Sequence, residues 1–320
     1  MAGADSNVFL SDQSPESSLI VQTTIDASVK TAAAKRHRLT LAVAGQHRHY
    51  FQFRSADRLF VDSALSYRFA ASRSVLVGLV QTTSYARMQL FDTEGNTLPR
   101  KLFSSWSSET RGYSQLVAGR SLTTLAAGIR VRDVNETEAQ DSLDQNGYFT
   151  SLDASYRFQR STFTLGYEYA VMHYDDLFAA ARPGSSATTS PLLTLVQNAI
   201  RSRIDLSFGT WLKVGLDARQ RWAVDPFEGD LTYRQTDVTP FGQVRLPMAL
   251  VWDASVGYRT RVYTVRDAYE RFLIVDSTLR KSWTAHWAST LQFQFLRKAS
   301  SVPGDEFRER LLMFGVSATL

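Results

Sequence analysis

The sequence predicts an all-β fold, a transmembrane antiparallel up-and-down β-barrel of about 16 strands, within a range of roughly 14 to 18. Three observations predict it. Apolar and polar residues alternate with a period of two along most of the 320 residues. The connections are short and long in turn, which is typical of barrels with tight turns at one end and longer loops at the other. The alternation also continues to the last residue, in LLMFGVSATL, where a soluble domain usually frays.

The first strand is predicted over residues 3–10 (GADSNVFL), before the turn-like stretch SDQSPES. Counting back from the C-terminus gives about 15 strands after residue 17, and a barrel whose last strand runs inward needs one more strand in front. We therefore expect residues 1–17 to hold an incomplete first strand and a loop. Residues 1–320 are expected to form a single barrel domain.

Later strands are predicted wherever aliphatic and aromatic residues occupy one face and charged or small polar residues the other. The clearest segments are 18–30 (SLIVQTTIDASVK), 59–69 (LFVDSALSYRF), 147–158 (GYFTSLDASYRF), 212–222 (LKVGLDARQRW) and 250–262 (LVWDASVGYRTRV).

Two further strands, near 75–90 and 107–119, are predicted from their spacing, because their apolar residues do not keep to one face. Six short connections are predicted near 70–73, 119–121, 158–161, 209–211, 246–249 and 280–284. Seven long polar connections are predicted near 49–57, 91–106, 134–146, 175–190, 223–230, 264–270 and 298–305.

The stretch RSRIDLSF at 201–208 poses the question of which face points inward. In a soluble sheet the apolar face packs on the core, whereas in a membrane barrel it contacts lipid and the charged face lines the lumen. A soluble alternative would need too many strands for one sandwich, and it would not explain connections sorted by length. The charged face is therefore predicted to line an aqueous lumen.

Composition narrows the functional classes. The chain has no Cys, which excludes a disulfide scaffold and thiolate metal sites, and its formal charge of +5 comes from scattered residues, so nucleic-acid binding is not expected. No apolar run reaches the ~20 residues of a transmembrane helix. The start MAGADSNVFL shows no signal peptide, so an exported protein would be a mature form here or would have a misassigned start. The predicted location is the bacterial outer membrane.

The stretch DSNVFLSD at 5–12 resembles the opening of the outer-membrane β-barrel porin type 2 family, in which a similar Asp-x-Asn-Val-Phe stretch ends the first strand. The segments SLIVQTTIDASVK and HRLTLAVAGQHRHYF resemble that family's second and third strands. The resemblance is specific over roughly the first 50 residues. It implies an outer-membrane barrel associated with exopolysaccharide export machinery.

The predicted lumen is rich in arginine. A ladder of guanidinium groups between low-dielectric walls concentrates anions and pairs with carboxylate or phosphate, whereas the structural alternative is that Arg and Asp pair across strands and hold the barrel together. The candidate selectivity residues are Arg130, Arg132, Arg157, Arg201, Arg203, Arg219, Arg221, Arg245, Arg259 and Arg261, with Asp205, Asp217 and Asp253.

Aromatic residues near the predicted strand ends favour interfacial girdles over a sugar-binding surface in the lumen. The tryptophans concerned are Trp211, Trp222, Trp252, Trp283 and Trp287.

Catalytic and metal sites find little support. His47 and His49 share a strand face at a spacing that a metal could use, but no carboxylate cluster lies beside them. His173 near Asp175 and Asp176 is the only group that suggests a hydrolase, and it lacks a specific motif. No cofactor is expected.

The sequence therefore predicts a channel, not an enzyme, that passes small anionic solutes or takes part in exopolysaccharide export. Two alternatives stay open. One is a structural or assembly barrel with a closed lumen that works with a partner protein, and the other, weaker one is an outer-membrane hydrolase. The expected partners are outer-membrane lipid and polysaccharide-export machinery, and the sequence leaves the oligomeric state open.

Overall fold

A computed structural model describes residues 1–6, 17–34, 36–52, 57–91, 97–135, 145–174, 193–224, 232–264, 268–301 and 306–318. Within these ranges the chain forms sixteen β-strands, and no helix is long and apolar enough to cross a membrane. The strands are β1 (Ala2–Asp5), β2 (Ser18–Ala34), β3 (His37–Tyr50), β4 (Arg58–Ala70), β5 (Val75–Phe91), β6 (Thr97–Ala118), β7 (Ser121–Asn135), β8 (Gln145–Phe158), β9 (Ser161–Tyr174), β10 (Leu193–Phe208), β11 (Leu212–Val224), β12 (Tyr233–Leu246), β13 (Leu250–Tyr263), β14 (Ala268–Ser282), β15 (Trp287–Ser300) and β16 (Phe307–Ala318).

The sixteen strands form one closed antiparallel barrel, as the sequence predicts. Each strand pairs with its neighbours in the chain, and β1 closes the ring between β16 and β2. The closing strand is short: Ala2 pairs with Phe314 on one side and with Val21 on the other. Closure satisfies the backbone hydrogen bonds that an open sheet edge would leave exposed to lipid.

The connections alternate in length as predicted, and they define two ends of the barrel. At the turn end, tight turns join β6 to β7 and β10 to β11, where Gly119 and Gly209 adopt φ values of 60° and 64°. Such left-handed conformations cost glycine little because it has no Cβ atom. The other end, called the loop end here, carries the longer connections, most of which lie outside the described residues.

Side-chain exposure on β10 shows which face of the strand points outward and which points into the lumen. On β10, Ile200, Ile204 and Phe208 are exposed on the outer surface of the barrel. Arg201 and Arg203 point the opposite way, into the lumen, and Arg201 forms an ion pair with Asp153 two strands away on β8. Contacts that skip a strand form on the concave side of a curved sheet. The charged face of RSRIDLSF is therefore the inner face, as predicted.

One sequence prediction is wrong, and a second is tested only in part. The long connection predicted at 91–106 is wrong from residue 97 onward, because β6 already begins at Thr97. Pro99 is typical of a loop, since proline cannot donate to a strand ladder, and the β5–β6 pairing shifts register between Gln89 and Phe91. The predicted first strand 3–10 corresponds to β1 at Ala2–Asp5, and residues 7–16 lie outside the described part of the chain.

The mixed pattern of β5 and β6 has a structural reason. Polar side chains lie on their outer faces, where the Gln81 amide donates to Ser108 Oγ at 2.6 Å and accepts from the Thr110 hydroxyl. Tyr85 likewise donates to Ser104 Oγ at 3.1 Å. These side chains satisfy one another's hydrogen-bonding groups across the two strands, so polar residues are tolerated on the outer face. The sequence of β5 and β6 therefore lacks the regular apolar residues that mark the outer face of the other strands.

Candidate functional site

The candidate site is the inner surface of the barrel. Residues directly opposite each other in a ladder point to the same face, so the pairing registers assign every side chain to a face. All thirteen predicted lumen residues lie on the inner face, namely Arg130, Arg132, Arg157, Arg201, Arg203, Arg219, Arg221, Arg245, Arg259, Arg261, Asp205, Asp217 and Asp253.

A network of charges crosses the inner wall from β6 to β11 at mid-barrel. Arg130 donates from Nε to Glu109 at 2.7 Å and from Nη2 to Glu168 at 3.3 Å. Arg219 donates to the other oxygen of Glu168 at 3.2 Å. Glu168 therefore accepts from two arginines on opposite sides of its own strand, and these charge-assisted bonds hold both guanidinium groups in fixed positions.

Other predicted lumen arginines are also paired. Arg201 Nη2 donates to Asp153 Oδ1 at 2.8 Å. Arg203 makes a two-pronged contact with Asp205, at 2.9 and 3.0 Å, and lies 3.9 Å from Asp217. These pairs match the structural interpretation of the ladder, in which Arg and Asp brace neighbouring strands.

Toward the loop end, Arg259 forms an ion pair with Asp237. Asp253, nearer the turn end, accepts from the Gln243 amide at 2.7 Å. Arg157 and Arg245 lie beside the turns, where their side chains are exposed.

Glycines and aromatic rings shape the same wall. Phe149 on β8 lies opposite Gly128 on β7, and its ring covers the space that a glycine side chain leaves open. The Arg130 guanidinium stacks on this ring, 4.0 Å from the ring centre. The same arrangement recurs where Phe241 covers Gly215 and Arg203 stacks at 4.6 Å. The stacking holds each guanidinium plane against a rigid aromatic ring.

Arg261 belongs to a different, buried cluster near the loop end. Its guanidinium donates to Gln235 Oε1 at 2.9 and 3.1 Å and to Glu270 Oε2 at 3.4 Å. Lys298 lies 3.0 Å from the other oxygen of Glu270, and neither side chain has appreciable contact with solvent. Because this cluster is compact and desolvated, Arg261 braces β12–β15 instead of facing an aqueous path.

The wall formed by β2–β5 differs from the arginine-rich wall. Small side chains such as Ala42, Ala44 and Ala64 line a cavity of about 590 Å³, together with the carboxylates of Asp26 and Asp62. At mid-barrel the lumen is therefore asymmetric, with several arginines on one side and small side chains with two carboxylates on the other. Arginines of the β2–β5 wall, such as Arg38 and Arg68, lie farther along the barrel.

Sequence reasoning missed several inner-face residues. Glu109 and Arg111 lie on β6, where the broken alternation gave no basis for assigning a face. Asp237 lies opposite both Arg219 and Arg259, on the strand that also carries the predicted lumen residue Arg245. The alternation of Tyr233, Gln235 and Asp237 with Arg234, Thr236 and Val238 was the available signal.

The histidines lie away from the lumen. His47 and His49 stack on the outer face with ring centres 6.4 Å apart, and His49 Nδ1 lies 2.8 Å from Asp57. His173 is also on the outer face, with Nδ1 2.9 Å from Thr194 Oγ1, and Asp175 and Asp176 lie outside the described residues. Among the residues that the structure covers, no group of three His, Asp or Glu side chains could hold a metal ion.

No protein-family model and no curated protein matches the sequence. Among solved structures, CdiB from Acinetobacter baumannii is similar with a TM-score of 0.55 and 11% identity. That match covers 99% of this chain and 59% of CdiB. The chain has the outer-membrane β-barrel fold.

Weaker structural matches include other outer-membrane proteins. A bacterial polysaccharide outer membrane secretin matches with a TM-score of 0.47 and 8% identity, over 100% of this chain and 97% of the secretin. The COG4313 outer membrane channel from Pseudomonas putida F1 matches with a TM-score of 0.44 and 13% identity, over 78% of this chain and 97% of that channel. The resemblance to the porin type 2 family stays a prediction.

Proposed function

We propose that the barrel is an outer-membrane channel whose arginine-rich wall favours the passage of small anionic solutes. The observation that carries the proposal is the composition of the mid-barrel cavity. Five arginines and two carboxylates line it, the arginines being Arg111, Arg130, Arg201, Arg219 and Arg221. An excess of fixed positive charge beside a low-dielectric wall raises the local concentration of anions and lowers that of cations.

The mechanism is diffusion down a concentration gradient past this wall. Passage requires that the solute be attracted strongly enough to enter and weakly enough to leave, which suits arginines that are already partly neutralised by Glu168 and Asp153. The small side chains of β2–β5 leave space beside the arginines for a hydrated solute. The type 2 family resemblance in the first 50 residues adds exopolysaccharide export as the biological setting of this proposal.

The test is single-channel current from the refolded protein in a planar bilayer, with a salt gradient across it. We expect discrete current steps and a reversal potential of anion-selective sign. Replacing Arg201, Arg203, Arg219 and Arg221 by Gln should move the anion-to-cation permeability ratio toward one, whereas Arg87→Gln, on the outer face, should not change it. Unchanged selectivity in the fourfold variant would remove these arginines from the mechanism.

A closed structural barrel is the second candidate, and one observation favours it. Inner-face side chains near the loop end have almost no contact with solvent, including Tyr50, Phe307 and Leu311 at 0–1% exposure. A wide aqueous opening at that end would expose these side chains to solvent. A folded protein that inserts into bilayers but passes no current would favour this candidate, and regular current steps would reject it.

A further inference from the structure

The arginines around the mid-barrel cavity divide into two groups. Arg130, Arg201 and Arg219 each form an ion pair with a carboxylate. Arg111 and Arg221 form none within the described chain, and the Nε atom of each is buried without a hydrogen-bond partner. Both unpaired side chains line the same cavity of about 390 Å³. The pairing pattern therefore singles out two guanidinium groups that the barrel's own carboxylates do not bind.

Two guanidinium groups without a paired carboxylate are unfavourable in this setting unless something else supplies a counter-charge. A buried N–H donor without an acceptor loses its hydration without compensation, and the loss is larger for a charged group. Glu168 forms its ion pairs in the described chain with Arg130 and Arg219, and none with Arg111 or Arg221. The buried Nε atoms are out of reach of a ligand in the cavity, so an anion there would accept from the Nη atoms of both arginines and would balance their charge.

The positions of the two arginines restrict the kind of anion. Arg111 lies on β6 and Arg221 on β11, with four strands between them, so they approach the cavity from different sides. A carboxylate presents both oxygens along one edge, whereas a tetrahedral oxyanion presents acceptors on every side. Glu109 also lies against Arg130, which leaves the two unpaired arginines as the local excess of charge. A phosphate group, with a charge of about −1.5 to −2 at neutral pH, matches that excess.

We infer that this cavity is a saturable binding site for a phosphate group, held between Arg111 and Arg221. The inference rests on the proposed function in one respect, since a solute reaches the cavity through the lumen. Arg130, Arg201 and Arg219 also line the cavity, but their charges are partly neutralised by their own carboxylates. Phe149 under Arg130 forms an apolar part of the wall. The site gives an anion channel a preference for phosphate over chloride.

The test combines current and equilibrium binding. In planar bilayers, inorganic phosphate added to a chloride solution should reduce the chloride current in a saturable way, and acetate should not. Arg111→Gln and Arg221→Gln should each raise the half-blocking phosphate concentration by at least about tenfold, the loss of one good charge-assisted contact. The matched control is Arg157→Gln, an inner-face arginine at the turn end outside this cavity, which should leave the block unchanged.

Arg111→Lys and Arg221→Lys distinguish a loss of binding from a loss of folding. Each keeps the positive charge of the side chain but removes the planar arrangement of N–H donors. They should weaken the phosphate block while leaving chloride selectivity close to that of the unaltered protein. Calorimetric titration of the refolded protein in detergent with phosphate measures the site independently of conduction. Phosphate binding by a silent barrel would overturn the channel proposal and support the site.

Anion-selective current without a saturable phosphate block would leave the channel proposal standing and overturn the site. A block of equal strength in the Arg111 and Arg221 variants would also overturn it, because phosphate would then be acting elsewhere.

Discussion

At the scale of single residues, the inner wall depends on glycines, whose lack of a side chain leaves space for neighbouring rings. Gly215 and Gly128 lie opposite Phe241 and Phe149, and each ring fills the space beside the neighbouring backbone. Neither glycine needs an unusual backbone conformation, so the requirement is one of space alone. The arginines stacked on those rings keep their positions only while the glycines stay unsubstituted.

We predict that Gly215→Ala and Gly128→Ala each destabilise the barrel by about 1–3 kcal/mol, the usual range for overpacking. A Cβ atom at 215 would lie 2.2 Å from Phe241 and 2.6 Å from the Ile204 carbonyl oxygen. At 128 it would lie 2.3 Å from the Thr110 carbonyl oxygen, which belongs to the backbone and cannot rotate away. Equilibrium unfolding in urea, followed by the folded fraction on unheated gels, measures the change.

Gly45→Ala is the matched control, because a Cβ atom at that position meets nothing within 4 Å. Its free energy of unfolding should stay within about 0.5 kcal/mol of the unaltered protein. Equal stability of all three variants would mean that the rings do not depend on the glycines.

Single residues also show how far sequence reasoning can reach. The inner position of Arg201, Arg203 and Asp205 was predictable, because a strand's alternation fixes which side chains share a face. The ion pair between Arg130 and Glu168 was not predictable from the sequence. It depends on the curvature of the sheet, which brings side chains of β7 and β9 together on the inner face of β8. Arg111, one of the two arginines of the proposed phosphate site, was missed because apolar and polar residues do not alternate regularly along β6.

At the scale of elements, the barrel is braced by two buried polar clusters near the loop end. One joins β13, β14 and β15 through Arg261, Glu270 and Lys298. The other lies at the seam, where Tyr50 donates to Asp5 at 3.1 Å and Arg58 lies 3.7 Å from Glu309. The second cluster connects β1, β3, β4 and β16, so it reinforces the place where the short first strand provides few backbone hydrogen bonds.

We predict that Lys298→Met destabilises the barrel by about 3–5 kcal/mol, because it removes one partner of a buried ion pair and leaves Glu270 short of a counter-charge. Lys298→Met combined with Glu270→Gln should recover part of the loss, since the uncompensated carboxylate is then absent. The control is Lys213→Met, an exposed lysine of the inner face, which should shift the unfolding free energy by no more than about 0.5 kcal/mol. Identical urea midpoints for both single variants would show that the buried pair does not brace the strands.

Strand positions followed from the sequence more reliably than strand ends. The alternation of 18–30, 147–158 and 250–262 locates β2, β8 and β13 to within a few residues. The start of β6 was misplaced because Pro99 and the polar residues around it look like a loop. In this barrel a register shift accommodates that segment within the ladder, and no local sequence signal reports such a shift.

At the scale of the whole molecule, the tryptophans mark the membrane boundary. Trp211, Trp252, Trp283 and Trp287 lie near the turn end with exposed side chains. Trp106, also exposed, and Trp222 lie on the outer face nearer the loop end. Together they account for the six tryptophans of the sequence, and each lies on the outer face or in a turn, so tryptophan fluorescence reports on the outer face and the turns. Two bands of indole rings at the ends of an apolar surface are typical of interfacial girdles.

We therefore predict that brominated lipids quench the tryptophan fluorescence of the barrel in liposomes. Bromines placed near the headgroups should quench more strongly than bromines near the chain ends, because the indole rings lie toward the two rims and not at the bilayer centre. A soluble heavy-atom quencher should have a weaker effect in liposomes than on the urea-unfolded chain. Fluorescence equal in brominated and ordinary lipid would contradict the outer-membrane assignment, because apolar side chains such as Leu165 and Ile200 would then face something other than lipid.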